Sequence, residues 1–289
     1  MVAETEGGTM ITAYFALLRP TQWLKNLIIF FPPFLGGELS KPGLIVHGLI
    51  PFGAFCLISS SAYLFNDILD HQQDALHPQK SRRPIPAGKV SITGASMLAF
   101  LLLFVSVGLA LSISHTFLWL VLAYAAVSVA YSLLFKTMPV VDIFCISAGF
   151  LLRLQAGGEI FHVPISPWLF LSVFLLAIFL STGKRLHEHM ALGDVAGRHR
   201  KSLESYPPGF LEGVMFMTGG AVLVTYSMYS LVKSRLLYSV PLCVFGLLWY
   251  ILRVKTGQNG DPTESLFRDR VLFVVSLLWV LLIAWSIYW

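Results

Sequence analysis

Apolar runs recur from one end of this chain to the other, and they leave little choice of fold. A helix needs about 20 apolar residues to cross the hydrocarbon core of a bilayer. About nine stretches of the 289 residues qualify, near 23–37, 43–66, 91–113, 115–135, 139–158, 166–186, 208–232, 236–253 and 271–288. Each is too continuous for the alternating pattern of a barrel strand. With 56% apolar and only 12% charged residues and a mean hydropathy of +0.74, the expectation is an all-α integral membrane protein, its roughly nine transmembrane helices forming one bundle. Residues 1–10 read as a polar tail that carries Glu4 and Glu6 and lacks the basic start of a cleavable signal. Residues 11–289 then form a single helical domain, with its first span retained in the mature protein.

The charges orient this bundle. With the N-terminus in the cytoplasm, 16 of the 20 Lys and Arg fall on the inner side, against Lys41, Lys233 and Arg235 outside and Arg153 within a span. The positive-inside rule therefore predicts a cytoplasmic N-terminus, and the expected location is the cell inner (plasma) membrane, as a multi-pass protein. The same confinement of basic residues to loops explains the pI near 9.1 without nucleic acid. Cys56, Cys145 and Cys243 lie far apart in apolar runs and suggest neither disulfides nor a zinc site.

One membrane face carries chemistry. The second apolar run ends in Tyr63, then Asn66, Asp67, Asp70 and Asp74, followed by Lys80, Arg82 and Arg83 in a proline-rich loop. On a helix those four oxygen-bearing side chains share an arc of roughly 100°. Clustered carboxylates need a compensating cation, and hard oxygen ligands favour Mg²⁺, which commonly also takes oxygens from a substrate phosphate. A solvated helix end with a capping Asp is the bland alternative. Asn66 and Asp70 stack one turn apart and can reach one ion together, so they are the expected metal ligands. Asp67 and Asp74 form a neighbouring row about 10 Å long, better suited to loop cations such as Arg83. Tyr131, Lys136 and Asp142 repeat the aromatic, cation and carboxylate arrangement and read as the second half of a site.

Other residues admit two readings. Lys25 and Asn26 follow Trp23 at headgroup level, where they serve either as anchors or to hold an anion. Arg153 is an intramembrane cation, functional by default, yet near enough to Gly157, Gly158 and Glu159 to snorkel outward. Lys184 and Arg185 end the sixth run as two adjacent cations suited to a lipid phosphate, with an intrahelical pair to Glu188 as the alternative. Asp261 reads as a cap or turn residue.

Together the motifs resemble the UbiA superfamily of intramembrane prenyltransferases, and more closely its polyprenyl-phosphate (decaprenyl-phosphate) phosphoribosyltransferase branch. The matches are Arg-Pro-x-Gln-Trp-x-Lys-Asn from Arg19 to Asn26, the acidic run from Asn66 to Asp74, Lys-x-x-Arg-Pro-Ile-x-x-Gly from Lys80 to Gly88, Tyr131 to Lys136 with Asp142, Gly-Lys-Arg from Gly183 to Arg185, and Gly-Asp-Pro-Thr-Glu from Gly260 to Glu264. Two departures stand out: a second acidic motif is reduced to Asp142, and His187 and His189 follow Gly-Lys-Arg. The resemblance implies Mg²⁺-dependent transfer of 5-phosphoribose from phosphoribosyl pyrophosphate to a polyprenyl phosphate, as in synthesis of lipid-linked sugar precursors of the cell envelope. It implies catalytic roles for Asp67, Asp70 and Asp142, and donor-binding roles for Lys25, Tyr63, Lys80, Arg83, Tyr131, Lys136 and Arg153. Lys184 and Arg185 would meet the lipid phosphate, and the active site would lie at the cytoplasmic face. A homo-oligomer is among the assemblies open to it. Two alternatives compete: a prenyltransferase moving a polyprenyl group from its diphosphate to an aromatic acceptor, and an anion transporter. Paired interrupted helices, the sign of a transporter, are not seen in the sequence.

Overall fold

The computed structural model describes residues 3–76, 80–192, 201–232, 234–258 and 260–289, with residues 3–9, Leu192, Lys201, Ser234 and Arg235 described by backbone alone. His77, Pro78 and Gln79 of the proline-rich loop lie outside the described residues, as do Arg198, Arg200 and Lys233 from the charge count. Among the described residues there is helix and no strand. The order is α1 (Ala3–Leu17), α2 (Phe31–Gly36), α3 (Leu44–Ala75), α4 (Ile92–Ile113), α5 (His115–Leu133), α6 (Val141–Phe161), α7 (Pro167–Leu192), α8 (Lys201–Glu204), α9 (Phe210–Val232), α10 (Val240–Lys255), α11 (Pro262–Arg268) and α12 (Arg270–Tyr288).

Eight of the described helical segments, not nine, are long and apolar enough to cross a membrane. The expected span at 23–37 is instead a 3₁₀ segment, Pro20–Phe30, followed by the six-residue α2. Pro32 and Pro33 sit in the first turn of α2, where a missing N–H is tolerated. Upstream, polar side chains tie the 3₁₀ segment to α3: Trp23 Nε1 donates to Ser60 Oγ at 3.0 Å, and the fully buried Asn26 reaches Cys56 Sγ and Ser59 Oγ, each at 3.3 Å.

The chain divides into two packed units, one of residues Met1–Leu27 with Ile45–Phe135, the other of Ile28–Leu44 with Lys136–Trp289. In the first, Ala13 and Leu17 of α1 pack with Leu64 of α3, Ala95, Ala99 and Leu102 of α4, and Ile85 and Val90 of the connecting loop. Hydroxyls bridge helices where small residues bring backbones close: Ser61 Oγ donates to Ala99 O and Ser106 Oγ to Ala54 O, both at 2.8 Å. The 32 residues of α3 would extend about 48 Å, well beyond a hydrocarbon core of about 30 Å, so its acidic C-terminal turns can stand clear of the lipid tails. In the second unit, Phe179 and Leu186 of α7, Met215 and Val222 of α9, and Leu247, Tyr250 and Val254 of α10 form the largest core.

Candidate active site

In the first unit, the acidic end of α3 is held by cations from both sides. Asp67, only 3% exposed, accepts from Arg19 Nη2 at 2.6 and 2.7 Å and from Arg83 Nη1 at 3.0 Å. Arg83 Nη1 also donates to Asp74 at 2.6 Å, and Lys80 Nζ stands 3.7 Å from that second carboxylate. Arg83 can return to α3 because the loop folds tightly behind it. Ala87 N donates to Arg83 O, Lys89 N and Val90 N to Pro84 O, and Ile85 is buried against the helix core. Arg19 lies over the Tyr63 ring, 5.0 Å from its centroid. Its backbone is left-handed at φ 52°, a conformation of the kind found where surrounding contacts over-determine a functional residue.

The row of Asn66 and Asp70 differs from the row of Asp67 and Asp74. Asn66 Oδ1 is buried with no hydrogen-bond partner, and Asp70 is half-buried one turn on. Among the described residues, no three His, Cys, Asp or Glu groups converge into a ready-made metal cage. An amide oxygen and one carboxylate fit Mg²⁺, which usually keeps only one or two protein carboxylates and completes its shell with water and phosphate oxygens. Charge balance points the same way. Asp67, Asp70 and Asp74 are matched by Arg19, Lys80 and Arg83, so a bound pyrophosphate would bring negative charge that these side chains do not offset.

The second unit has a deeply buried polar cluster of its own. Asp142, in the first turn of α6, is fully buried and accepts from Arg185 Nε at 2.7 Å and from the Tyr206 hydroxyl at 3.1 Å. Arg185, 2% exposed, also donates through Nη1 to Glu188 at 2.8 Å. Asp142 and Arg185 were both expected to meet substrate; here they are bonded to each other and withdrawn from solvent. Burial, together with the Asp142 carboxylate and against the Val140 amide, pushes the Tyr206 phenol up to about 12, so it stays a donor at physiological pH.

Lys184 points elsewhere, with Nζ 2.7 Å from Asp261 and its side chain 37% exposed. Two glycines make that pairing. A Cβ on Gly183 would meet the Tyr250 ring at 2.7 Å, and one on Gly260 would collide with His187. Their absence lets Tyr250 donate to Gly260 O at 2.9 Å, which holds Asp261 beside Lys184. Asp261 is the N-cap of α11, accepting from Thr263 N and Glu264 N. His187 thus packs on Gly260, and its Nε2 lies 3.3 Å from Gly257 O.

The remaining expected residues lie on different elements. Lys25 is half-buried in the 3₁₀ segment, Tyr131 half-buried at the C-terminal end of α5, and Lys136 half-buried in a 3₁₀ turn before α6. Arg153 does not snorkel to water: it is 4% exposed, donates to Gly149 O at 2.8 Å and lies 5.7 Å from the Phe150 ring centroid. Arg19 and Tyr206 went unassigned in the sequence. Arg19 enters the sequence reading as an orienting charge and the start of a matched motif, with no role of its own, and its partner lies 48 residues away. Tyr206 sits in a polar connection with no local signal.

Comparison with known proteins adds to this geometry. The model of the UbiA prenyltransferase family matches residues 27–278. Decaprenyl-phosphate phosphoribosyltransferase of Corynebacterium glutamicum is 34% identical over 94% of this chain and 85% of its own length. The protein of the same name from Mycolicibacterium smegmatis is 32% identical over 96% and 93%. Among solved structures, a UbiA homolog from Archaeoglobus fulgidus bound to GPP and Mg²⁺ superposes with a TM-score of 0.75 at 20% identity, covering 96% of this chain and 99% of that one.

Proposed function

This chain belongs to the UbiA prenyltransferase family, and from that premise we propose that it transfers 5-phosphoribose from phosphoribosyl pyrophosphate to a polyprenyl phosphate, releasing pyrophosphate. The observation that carries the reading is the identity of 30–34% over most of the chain to decaprenyl-phosphate phosphoribosyltransferases. The split acidic face supports it. Asn66 and Asp70 would hold Mg²⁺, which supplies Lewis-acid charge to the leaving pyrophosphate when bound. Arg83 commits Nη1 to Asp67 and Asp74, and its other N–H groups suit a phosphate oxygen. Lys80 and Lys136 add charge for the same donor, and Lys25, Tyr63, Tyr131 and Arg153 are assigned to its binding.

The reaction breaks the bond between ribose C1 and the pyrophosphate oxygen and forms one between C1 and a lipid phosphate oxygen. The nucleophile is already an anion, so no side chain has to take its proton. Lys184, the more exposed cation, is assigned to that lipid phosphate. Arg185 holds Asp142 and Glu188, so we assign both Arg185 and Asp142 to shaping the second unit. The test uses purified protein, Mg²⁺, ribose-labelled phosphoribosyl pyrophosphate and a polyprenyl phosphate. Label is expected in the lipid phase, one per pyrophosphate released, with excess chelator abolishing transfer and Mg²⁺ restoring it. A lipid phase without label would remove the activity, and full transfer in chelator would remove the metal.

The reading also places the acidic end of α3 on the cytoplasmic side of the plasma membrane, supported by the charge distribution. Gln73 and Ser40 are both exposed, beyond opposite ends of the apolar part of α3. A cysteine at Gln73 is expected to react with an impermeant maleimide only in inside-out vesicles, and one at Ser40 only in right-side-out vesicles; the reverse pattern would invert the topology.

A further inference from the structure

Val140, where the segment bearing Lys136 enters α6, adopts φ 67° and ψ −49°. Positive φ is rare for any residue but glycine, and for a β-branched one it is a true outlier. Val141 N donates to Pro139 O at 2.7 Å, an i to i+2 bond that closes a γ-turn of the rare, strained, positive-φ kind. The Val140 side chain is 40% exposed, so burial of its own methyls is a weak restraint on the turn. Asp142 N donates to Met138 O across the turn at 3.1 Å, and a side chain 66 residues away clamps its centre: Val140 N donates to the Tyr206 hydroxyl at 2.7 Å. That hydroxyl in turn donates to Asp142 Oδ1 at 3.1 Å, and Asp142 is locked by Arg185. Stacking on Phe210, with ring centroids 5.6 Å apart, steadies the Tyr206 ring.

We infer that Tyr206 is a positioning residue for Lys136: its hydroxyl, set between the Val140 amide and the Asp142 carboxylate, holds the strained turn that fixes how residues 136–139 leave α6. The inference rests on the reading of Lys136 as a donor-phosphate residue. Tyr206→Phe keeps the ring and its stacking while removing both hydrogen bonds, and the turn relaxes toward ordinary φ. Lys136 then loses its place, and donor affinity falls while the chemistry at C1 is little changed. Glycine at 140 lifts the steric penalty on positive φ, so Val140→Gly lets the turn persist without its clamp.

The experiment measures kcat and the KM for phosphoribosyl pyrophosphate in Tyr206→Phe, Lys136→Met, the two combined, and Tyr206→Phe with Val140→Gly. It adds amide hydrogen exchange across 136–142 in substrate-free protein. Tyr206→Phe is expected to raise donor KM about five- to tenfold, the worth of one or two hydrogen bonds, with kcat within about twofold. It should add nothing once Lys136 is Met, and Val140→Gly should restore KM to near wild type. Exchange across 136–142 should accelerate in Tyr206→Phe whatever the substrate is. If wild type transfers no phosphoribose, the functional reading fails, while unchanged exchange would still overturn the role of Tyr206. An unchanged donor KM in Tyr206→Phe or in Lys136→Met, additive effects, or no rescue by glycine would each overturn the inference. Should Tyr206→Phe fail to fold, the variant with Val140→Gly must fold with near-normal KM, and its failure to do so would overturn it as well.

Discussion

Asp70→Asn is expected to lower phosphoribosyl transfer by about 10³-fold, the effect of losing several kcal/mol of metal-borne charge stabilisation at the leaving group. The geometry separates this residue from its neighbours. Asp67 and Asp74 face the cations Arg19, Arg83 and Lys80, and Asp70 lies on the row of Asn66, whose buried oxygen has no hydrogen-bond partner and suits a metal ion. Asp74→Asn should behave differently. The amide still accepts from Arg83, which keeps Asp67, and Arg83 and Lys80 are 30% and 42% exposed, so the pairing is worth at most about 1 kcal/mol. Donor KM is then expected to rise about fivefold with the metal requirement intact. Mg²⁺ titrations of turnover in both variants check the division. A larger loss of metal affinity in Asp74→Asn than in Asp70→Asn would reverse it.

The largest effect on stability is expected from Arg185→Met. Asp142 and Arg185 are 0% and 2% exposed, so removing the cation leaves a carboxylate buried without its charge partner. Breaking such a pair costs about 3–5 kcal/mol, a large part of the roughly 5–15 kcal/mol that holds a folded protein together. Thermal unfolding in detergent should show a midpoint lower by roughly 6–20 °C. Replacing the pair together, Arg185→Met with Asp142→Leu, is expected to recover much of the loss, because apolar residues of similar volume substitute well for a buried pair. Glu188→Gln should matter less, since Glu188 is 30% exposed and its partner keeps Asp142. A midpoint for Arg185→Met within a degree or two of wild type would contradict the burial argument.

Much of this architecture is legible in the apolar runs, because a helix in lipid must satisfy its own backbone and shows itself by length. The run at 91–113 corresponds to α4, Ile92–Ile113, and that at 271–288 to α12, Arg270–Tyr288. The run at 23–37 misleads for two reasons. Hydropathy does not register that Pro32 and Pro33 restart the helical ladder, nor that Asn26 and Trp23 spend their polar atoms on α3. The two rows of the acidic face follow from helical spacing, a local property. Arg19 and Tyr206 are not legible, because their partners lie 48 and 64 residues away and neither residue stands out from its neighbours. Backbone strain at Val140 is equally invisible, since valine is the residue least suggestive of positive φ. Gly183 and Gly260 are visible within motifs, but only packing shows that one makes room for Tyr250 and the other for His187.

The fate of the lipid's phosphate oxygens tests the central claim most directly. With ¹⁸O in the non-bridging phosphate oxygens of the polyprenyl phosphate and unlabelled phosphoribosyl pyrophosphate, attack of the lipid phosphate on C1 predicts a product that keeps all of the ¹⁸O in its phosphodiester. The released pyrophosphate then carries none. A lipid triphosphate containing the ¹⁸O, formed with release of ribose 5-phosphate, or transfer of the polyprenyl chain with the labelled phosphate left behind, would contradict the account.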